Sequence, residues 1–113
     1  MRFLMLVCRD VSIPFGPDDR ETIGDDVQAW VSEMEQRGVR LLGAVLAPPD
    51  RSTRVRLRDG SIGVEDGPQP VGEVPASGFN LLECADLDEA IEVSAKHPIA
   101  KFGLIELRPI IDP

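Results

Sequence analysis

The sequence RFLMLVCR at residues 2–9 decides the fold of this chain. Six consecutive apolar residues lie between Arg2 and Arg9, so apolar side chains occupy both the odd and the even positions. In an extended strand these positions alternate between the two faces of a sheet. A strand that is apolar on both faces must be covered on both faces, and this predicts a central position in a sheet.

The segments that follow alternate between helical and extended patterns. In chain order the sequence predicts a strand at 2–9, a loop at 13–19, a helix at 25–37 closed by Gly38, a strand at 39–46, a strand at 79–84, a helix that starts at the Asp86–Glu89 capping box and ends by Lys96 or His97, and a strand at 102–108. Trp30 belongs to the apolar stripe of the first helix, which predicts a core position, with a place at the rim of a pocket as the alternative.

A β-hairpin is predicted between the second and third of these strands. Residues 53–58 alternate, Asp59-Gly60 forms a turn signal, and residues 61–65 return as a second strand. Arg54, Arg56 and Arg58 share one face of this hairpin, without aromatic residues between them. They are interpreted as a solvated edge face, with anion binding as the alternative.

Without the hairpin, the order of elements is βαββαβ. This predicts the α+β class and a ferredoxin-like fold over residues 1–113 as a single domain, with an extra β-hairpin and with both helices on one face of an antiparallel sheet. The other face is then uncovered although its strands are apolar. Burying apolar surface stabilises by about 25 cal/mol per Å², so we expect a homodimer packed sheet to sheet.

Charge and composition restrict the partners and the location. The chain has 12 basic and 20 acidic residues and a formal net charge of −8, which disfavours nucleic acid and anionic membranes as partners. The opening apolar run is much shorter than the roughly 20 residues that span a bilayer. Cys8 and Cys84 have no metal-binding spacing and are interpreted as buried, reduced thiols. We therefore expect a cytoplasmic protein.

Two places in the sequence are candidates for chemistry. His97 is the sole histidine, so it is the candidate catalytic acid or base near neutral pH. The negative end of the second helix dipole is expected to favour its charged form by about 0.3–1 kcal/mol. Asp66, Gly67 and Pro68 form a turn whose carboxylate is a second candidate, for ligand binding or catalysis. The alternatives are a helix-terminal histidine without function and an aspartate that only shapes its turn.

Other catalytic and cofactor signatures are missing from the sequence. The acidic residues between 18 and 26 lack the ligand pattern of a calcium or transition-metal site and are interpreted as a solvated helix start. The serines lack a nucleophile-elbow context, and no glycine-rich phosphate loop is present. We therefore expect neither a metal nor a cofactor.

The ordered combination of several segments resembles the YCII-related family, and most closely its DGPF branch. The resemblance rests on residues 1–7, on Asp66-Gly67-Pro68 after a hairpin, on Gly78-Phe79, on residues 85–90 and on residues 103–110. It implies a dimeric α+β barrel with a cleft at the sheet. Some relatives act on small ring compounds with a proposed His–Asp pair, and DGPF proteins often accompany extracytoplasmic-function sigma factors.

The chain departs from the family pattern at two places. Gln69 replaces the phenylalanine of the motif, and the polar and charged residues that usually follow are replaced by the stretch at 70–75. A histidine that is common near the start of the last strand aligns with Phe102.

Two functions are therefore expected. The first is a small-molecule-binding or enzyme-like homodimer whose cleft lies at the protomer interface and uses Asp66, with His97 or nearby backbone groups, to hold a polar ligand. The second is a non-catalytic accessory or regulatory dimer, linked through the resemblance to sigma-factor regulation. An open cleft favours the first, and a cleft filled by Phe3, Met5, Phe79 and Phe102 favours the second.

Overall fold

The computed structural model describes residues 1–69 and 74–111 and contains six strands and two α-helices in those ranges. They are β1 (Arg2–Arg9), α1 (Pro17–Gln36), β2 (Arg40–Val45), β3 (Thr53–Arg58), β4 (Ser61–Asp66), β5 (Gly78–Glu83), α2 (Leu87–Ala95) and β6 (Gly103–Pro109). Short 3₁₀ helices cover Pro49–Arg51 and Pro98–Phe102. Most of the stretch that departs from the family motif, residues 70–73, lies outside the described residues.

Four strands form an antiparallel sheet in the order β2-β5-β1-β6. The central position of β1 and the order of a ferredoxin-like sheet are as predicted. Phe3, Met5 and Val7 of β1 are buried on one face of the sheet, in a core completed by residues of both helices such as Trp30 and Val93. The predicted α+β class, with both helices on the same face, is confirmed, and so is the core position of Trp30.

Helix α1 begins at Pro17, so the prediction of a start at Asp25 was wrong. Gly16 is the N-cap, Pro17 occupies the first turn, and the Asp19 carboxylate accepts a hydrogen bond of 2.9 Å from the Gly16 N–H. Proline is suited to the first turn because its missing N–H has no intrahelical partner there. The Pro17 and Gly16 pair therefore marks a helix start, although it was interpreted as part of a loop. Gly38, with φ +72°, follows the helix as predicted.

The hairpin of β3 and β4 is confirmed and stands apart as a two-stranded sheet. Asp59 and Gly60 at its tip both have positive φ, 52° and 75°, as a two-residue hairpin turn requires. One face carries the predicted arginines. The other face carries four apolar side chains that are each more than 60% exposed, namely Val55, Leu57, Ile62 and Val64.

The face of the main sheet that points away from the helices is also apolar. By register, this outer face carries Leu4, Leu6, Leu42, Phe79, Leu81 and Leu104. Leu42 and Leu104 are 51% and 46% exposed. The radius of gyration is 16.1 Å, against about 13 Å for a compact chain of this length. An extended hairpin and a one-sided core account for this flat shape. Neither helix in the described ranges is both long and apolar enough to span a bilayer.

Candidate functional site

A cavity of about 610 Å³ lies between helix α1 and the inner face of the sheet. Its wall on the helix side includes Ile23, Gly24 and Val27, and its floor on the sheet side includes Gly43 and Gly78. Phe3 and Met5 are buried in the core and Phe102 is buried beside Phe15. Phe79 is among the lining residues of the cavity, but by register its side chain lies on the outer face of the sheet. These side chains therefore do not fill this cavity, and the cleft predicted at the protomer interface stays a prediction.

His97 lines this cavity from the connection between α2 and β6. It is the N-cap of the 3₁₀ helix Pro98–Phe102, where its Nδ1 accepts a hydrogen bond of 3.1 Å from the Ile99 N–H. The ring meets the Trp30 indole edge to face at 4.7 Å between centroids, and the Trp30 Nε1–H donates to the Val93 carbonyl at 3.0 Å. Because Nδ1 accepts, the neutral ring carries its proton on Nε2.

The helix dipole does not decide the charge of His97. The side chain is only 5% exposed, and burial lowers the pKa of His97 to about 4. Desolvation disfavours the charged imidazolium, and here it outweighs the attraction of the nearby helix end. At neutral pH the imidazole is therefore uncharged, a weak base and a hydrogen-bond donor through Nε2.

Arg40 reaches the cavity because strand β2 contains a bulge. The pairing with β5 shifts between Arg40 and Leu42, so that Arg40 and Gly43 both face inward. The Arg40 Nε–H donates to Asn80 Oδ1 at 2.8 Å, and Nη1 donates to Glu35 Oε1 at 2.7 Å. A Cβ on Gly43 would lie 2.6 Å from Arg40 Nη2. The bulge therefore directs the guanidinium inward, and the missing Cβ makes space for it, as bulges do near binding sites.

Arg9 is the second cation in the cavity wall. Its guanidinium stacks on the Phe15 ring at 4.1 Å from the centroid. Its Nη1 donates to the main-chain carbonyls of Asp10 and Phe102, the latter at 3.1 Å. These contacts hold the charged end of β1 against the loop that precedes α1.

Asp66, Gly67 and Pro68 lie at the base of the hairpin and are not among the residues that line the cavity of His97. Asp66 ends β4 with its side chain exposed. Gly67 has φ +98°, and its N–H donates to the Ser52 carbonyl at 2.8 Å. Pro68 borders a second, smaller cleft of about 380 Å³ beside Arg51 and Arg54. Within one chain these residues and His97 are thus in different places, and a shared role stays a prediction.

Sequence reasoning missed Arg9, Arg40 and Asn80 as site residues. The bulge is not visible in the apolar pattern of residues 39–46, because a single extra residue changes which side chains face inward. Gly43 was the available signal. A glycine inside a strand often marks a bulge or a close approach of other groups, and here it marks both.

The cysteines and the possible metal ligands of the chain do not form a further site in the described ranges. Cys8 and Cys84 are free and buried, as predicted, and burial raises the pKa of both thiols above the ordinary value. They are therefore protonated and poor nucleophiles. Within residues 1–69 and 74–111 no three His, Cys, Asp or Glu side chains are grouped as a metal would require.

Comparisons with known proteins agree on the fold and the family. Among solved structures the chain is similar to 5-chloro-2-hydroxyhydroquinone dehydrochlorinase (TftG) from Burkholderia phenoliruptrix AC1100, in complex with 2,5-dihydroxybenzoquinone. The TM-score is 0.52 at 17% identity, covering 100% of this chain and 96% of that one. This likeness supports the α+β fold alone. No curated protein matches the sequence. The YCII-related domain matches residues 1–112, and the chain therefore belongs to the YCII-related family.

Proposed function

We propose that this protein is a homodimer that binds a small molecule in the cavity between α1 and the sheet. The observation that carries the proposal is the open cavity of about 610 Å³, in which a few polar groups converge on apolar walls. Ligand sites typically have this size and this composition. His97, Arg40 and Asn80 are buried or nearly so, and their positions are set by hydrogen bonds to neighbouring groups.

The structural neighbour supports a ligand of small size. TftG is a dehydrochlorinase whose structure holds a small quinone. For this chain we propose the binding step, with His97 Nε2 as a hydrogen-bond donor to the ligand. Any acid–base step through an imidazole of the chain would also use His97, since the sequence contains one histidine. Asp66, Gly67 and Pro68 do not line this cavity, and their role in binding or catalysis stays a separate prediction.

The apolar outer face of the sheet supports the homodimer. In a single chain this face leaves Leu42 and Leu104 about half exposed, and burying such surface against a second copy is favourable. The apolar face of the hairpin is a further surface of the same kind. The free thiols of Cys8 and Cys84 fit a reducing compartment, and we place the protein in the cytoplasm.

The rival function is a non-catalytic accessory or regulatory dimer that binds a partner protein. The open cavity favours ligand binding over this rival, because an accessory protein needs no space beneath α1. A direct test of the cavity therefore distinguishes the two.

The test is a fragment screen by two-dimensional ¹H–¹⁵N NMR of the wild type and two variants at Gly24. Gly24 lines the cavity, and a Cβ there would meet nothing within 4 Å. We expect fragments to shift the signals of Gly43, Gly78 and the Trp30 indole. Gly24 is exposed at the cavity wall, and Gly24→Phe is designed to direct a ring across the cavity. We expect this variant to abolish the shifts, whereas Gly24→Ala should preserve them.

Two results would contradict the proposal. One is a screen in which no fragment shifts the cavity signals. The other is binding that persists unchanged in Gly24→Phe, because the ligand would then lie elsewhere. Both variants remove a helical glycine, so a general effect on the stability of α1 would appear in both. An effect of a blocked cavity would appear in Gly24→Phe alone.

A further inference from the structure

The charged side chains that line the cavity have one sign, in contrast to the rest of the chain. The protein has a formal net charge of −8, yet the charged side chains that line the cavity are Arg9 and Arg40, with no carboxylate among the described lining residues. His97 adds an N–H donor. An acidic protein with a cationic cavity has a site suited to an anion.

From this contrast we propose, on the basis of the proposed function, that the ligand is an organic carboxylate and that Arg40 Nη2 binds its carboxylate group above Gly43. Nε and Nη1 of Arg40 are already used by Asn80 and Glu35. Nη2 makes no hydrogen bond to any residue in the described ranges, and it lies directly over the glycine floor of the cavity. Its N–H groups are therefore available to a ligand.

The environment of Arg40 makes this contact selective for charge. The side chain is 12% exposed, so water competes weakly, and an ion pair in such a place is stronger than on the surface. Hydrogen bonds between a guanidinium and a carboxylate are also stronger than those between neutral groups. Arg40 Nη1 already pairs with a carboxylate, since Glu35 Oε1 lies 2.7 Å from it. The Glu35 side chain is 53% exposed.

The remaining walls define the other end of the ligand. Ile23, Val27, Val31 and Ile99 line the same cavity and offer no charge. A carboxylate attached to an apolar body matches both the Arg40 guanidinium and the apolar walls. A polar polyanion matches the guanidinium alone. We assign Arg40 as the residue that recognises the carboxylate, and Asn80 as the residue that positions Arg40.

Two pairs of probes with the same body and different charge test the assignment. They are naphthalene-2-carboxylate with its carboxamide, and hexanoate with its carboxamide, each titrated at pH 7 and followed by ¹H–¹⁵N NMR at Gly43 and Gly78. We expect the carboxylates to bind about 10- to 100-fold more tightly than the amides, as loss of one buried charged hydrogen bond implies.

The variants separate Arg40 from the general charge of the protein. Arg40→Gln should remove the preference for carboxylates, Arg40→Lys should restore part of it, and Arg56→Gln, on the exposed hairpin, should leave it intact. The comparison of acid with amide in the wild type does not depend on whether Arg40→Gln folds.

Each other outcome contradicts a defined part of the argument. Equal affinity for acids and amides at the cavity would overturn the carboxylate assignment and leave the proposed function standing. A preference that survives Arg40→Gln would overturn the role of Arg40. If none of the four probes shifts the cavity signals, the assignment is wrong, and if the fragment screen also fails, the proposed function is wrong with it.

Discussion

His97 shows how burial decides the chemistry of a single side chain. Its position at a helix end suggested a stabilised positive charge, but the ring is enclosed by Trp30 and the 3₁₀ turn, and its Nδ1 is occupied by the Ile99 N–H. Desolvation of an imidazolium costs more than a helix end contributes. The residue is therefore neutral at physiological pH, ready to donate a hydrogen bond but poorly suited to abstract a proton before a ligand binds.

The titration of His97 is the first prediction at this scale. We expect its ring signals in NMR to stay constant from pH 8 to about 5 and to change only toward pH 4, because burial lowers its pKa to about 4. Asp66→Asn should leave this midpoint unchanged, since the exposed Asp66 does not line the cavity. A midpoint that moves in this variant would instead support the predicted His97–Asp66 pair.

The lowered pKa of His97 also predicts how the free energy of unfolding depends on pH. The unfolded chain binds a proton at His97 near its ordinary pKa of 6.5, whereas the folded chain does so near 4. The stabilisation is therefore complete above pH 6.5 and is lost as the pH falls toward 4, by at most about 3 kcal/mol. Urea unfolding at pH 7 and pH 5 checks this. His97→Asn should reduce the loss between these two pH values, and an unchanged loss would contradict the prediction.

Helix α1 shows how local capping extends an element beyond its apolar stripe. The stripe that packs on the sheet includes Trp30 and Met34. The helix starts much earlier, at Pro17, where the Asp19 carboxylate accepts from the Gly16 N–H. This early turn carries Ile23 and Gly24 over the sheet, and these residues line the cavity. The cap therefore contributes to the site as well as to the helix.

Asp19→Ala tests this cap. Loss of the hydrogen bond from the Gly16 N–H should lower the free energy of unfolding by about 0.5–2 kcal/mol. Asp18→Ala is the matched control, because it removes a carboxylate from the same turn without removing a hydrogen bond to Gly16. Both carboxylates interact favourably with the positive end of the helix dipole. Chemical denaturation of the two variants gives the comparison, and equal losses would mean that charge, and not the cap, stabilises the start of α1.

The whole molecule has helices on one face of its sheet and exposed apolar surface on the other. A chain of 113 residues has a limited core, and here that core lies on the helix side. The outer face and the hairpin leave apolar side chains such as Leu104 and Val55 in contact with solvent. This one-sided arrangement is the physical basis for the proposed homodimer.

A substitution on the outer face tests the dimer. Leu104→Glu introduces a charge into the proposed interface and should weaken association about tenfold or more, as judged by sedimentation equilibrium. Leu87→Glu is the control, because Leu87 is similarly exposed, 48% against 46%, but lies on α2. A wild type that sediments as a monomer, or equal effects of the two substitutions, would contradict a sheet-to-sheet dimer.

The sequence by itself determined the strands, the hairpin, the second helix and the central place of β1. These depend on short-range periodicity, turn residues and caps, which a linear pattern records. Only the tertiary structure decided the site. The inward turn of Arg40 depends on one bulge in β2, the neutral state of His97 depends on enclosure by Trp30, and the cavity depends on how α1 lies over Gly43 and Gly78. These are contacts between residues distant in the chain, and periodicity carries no information about them.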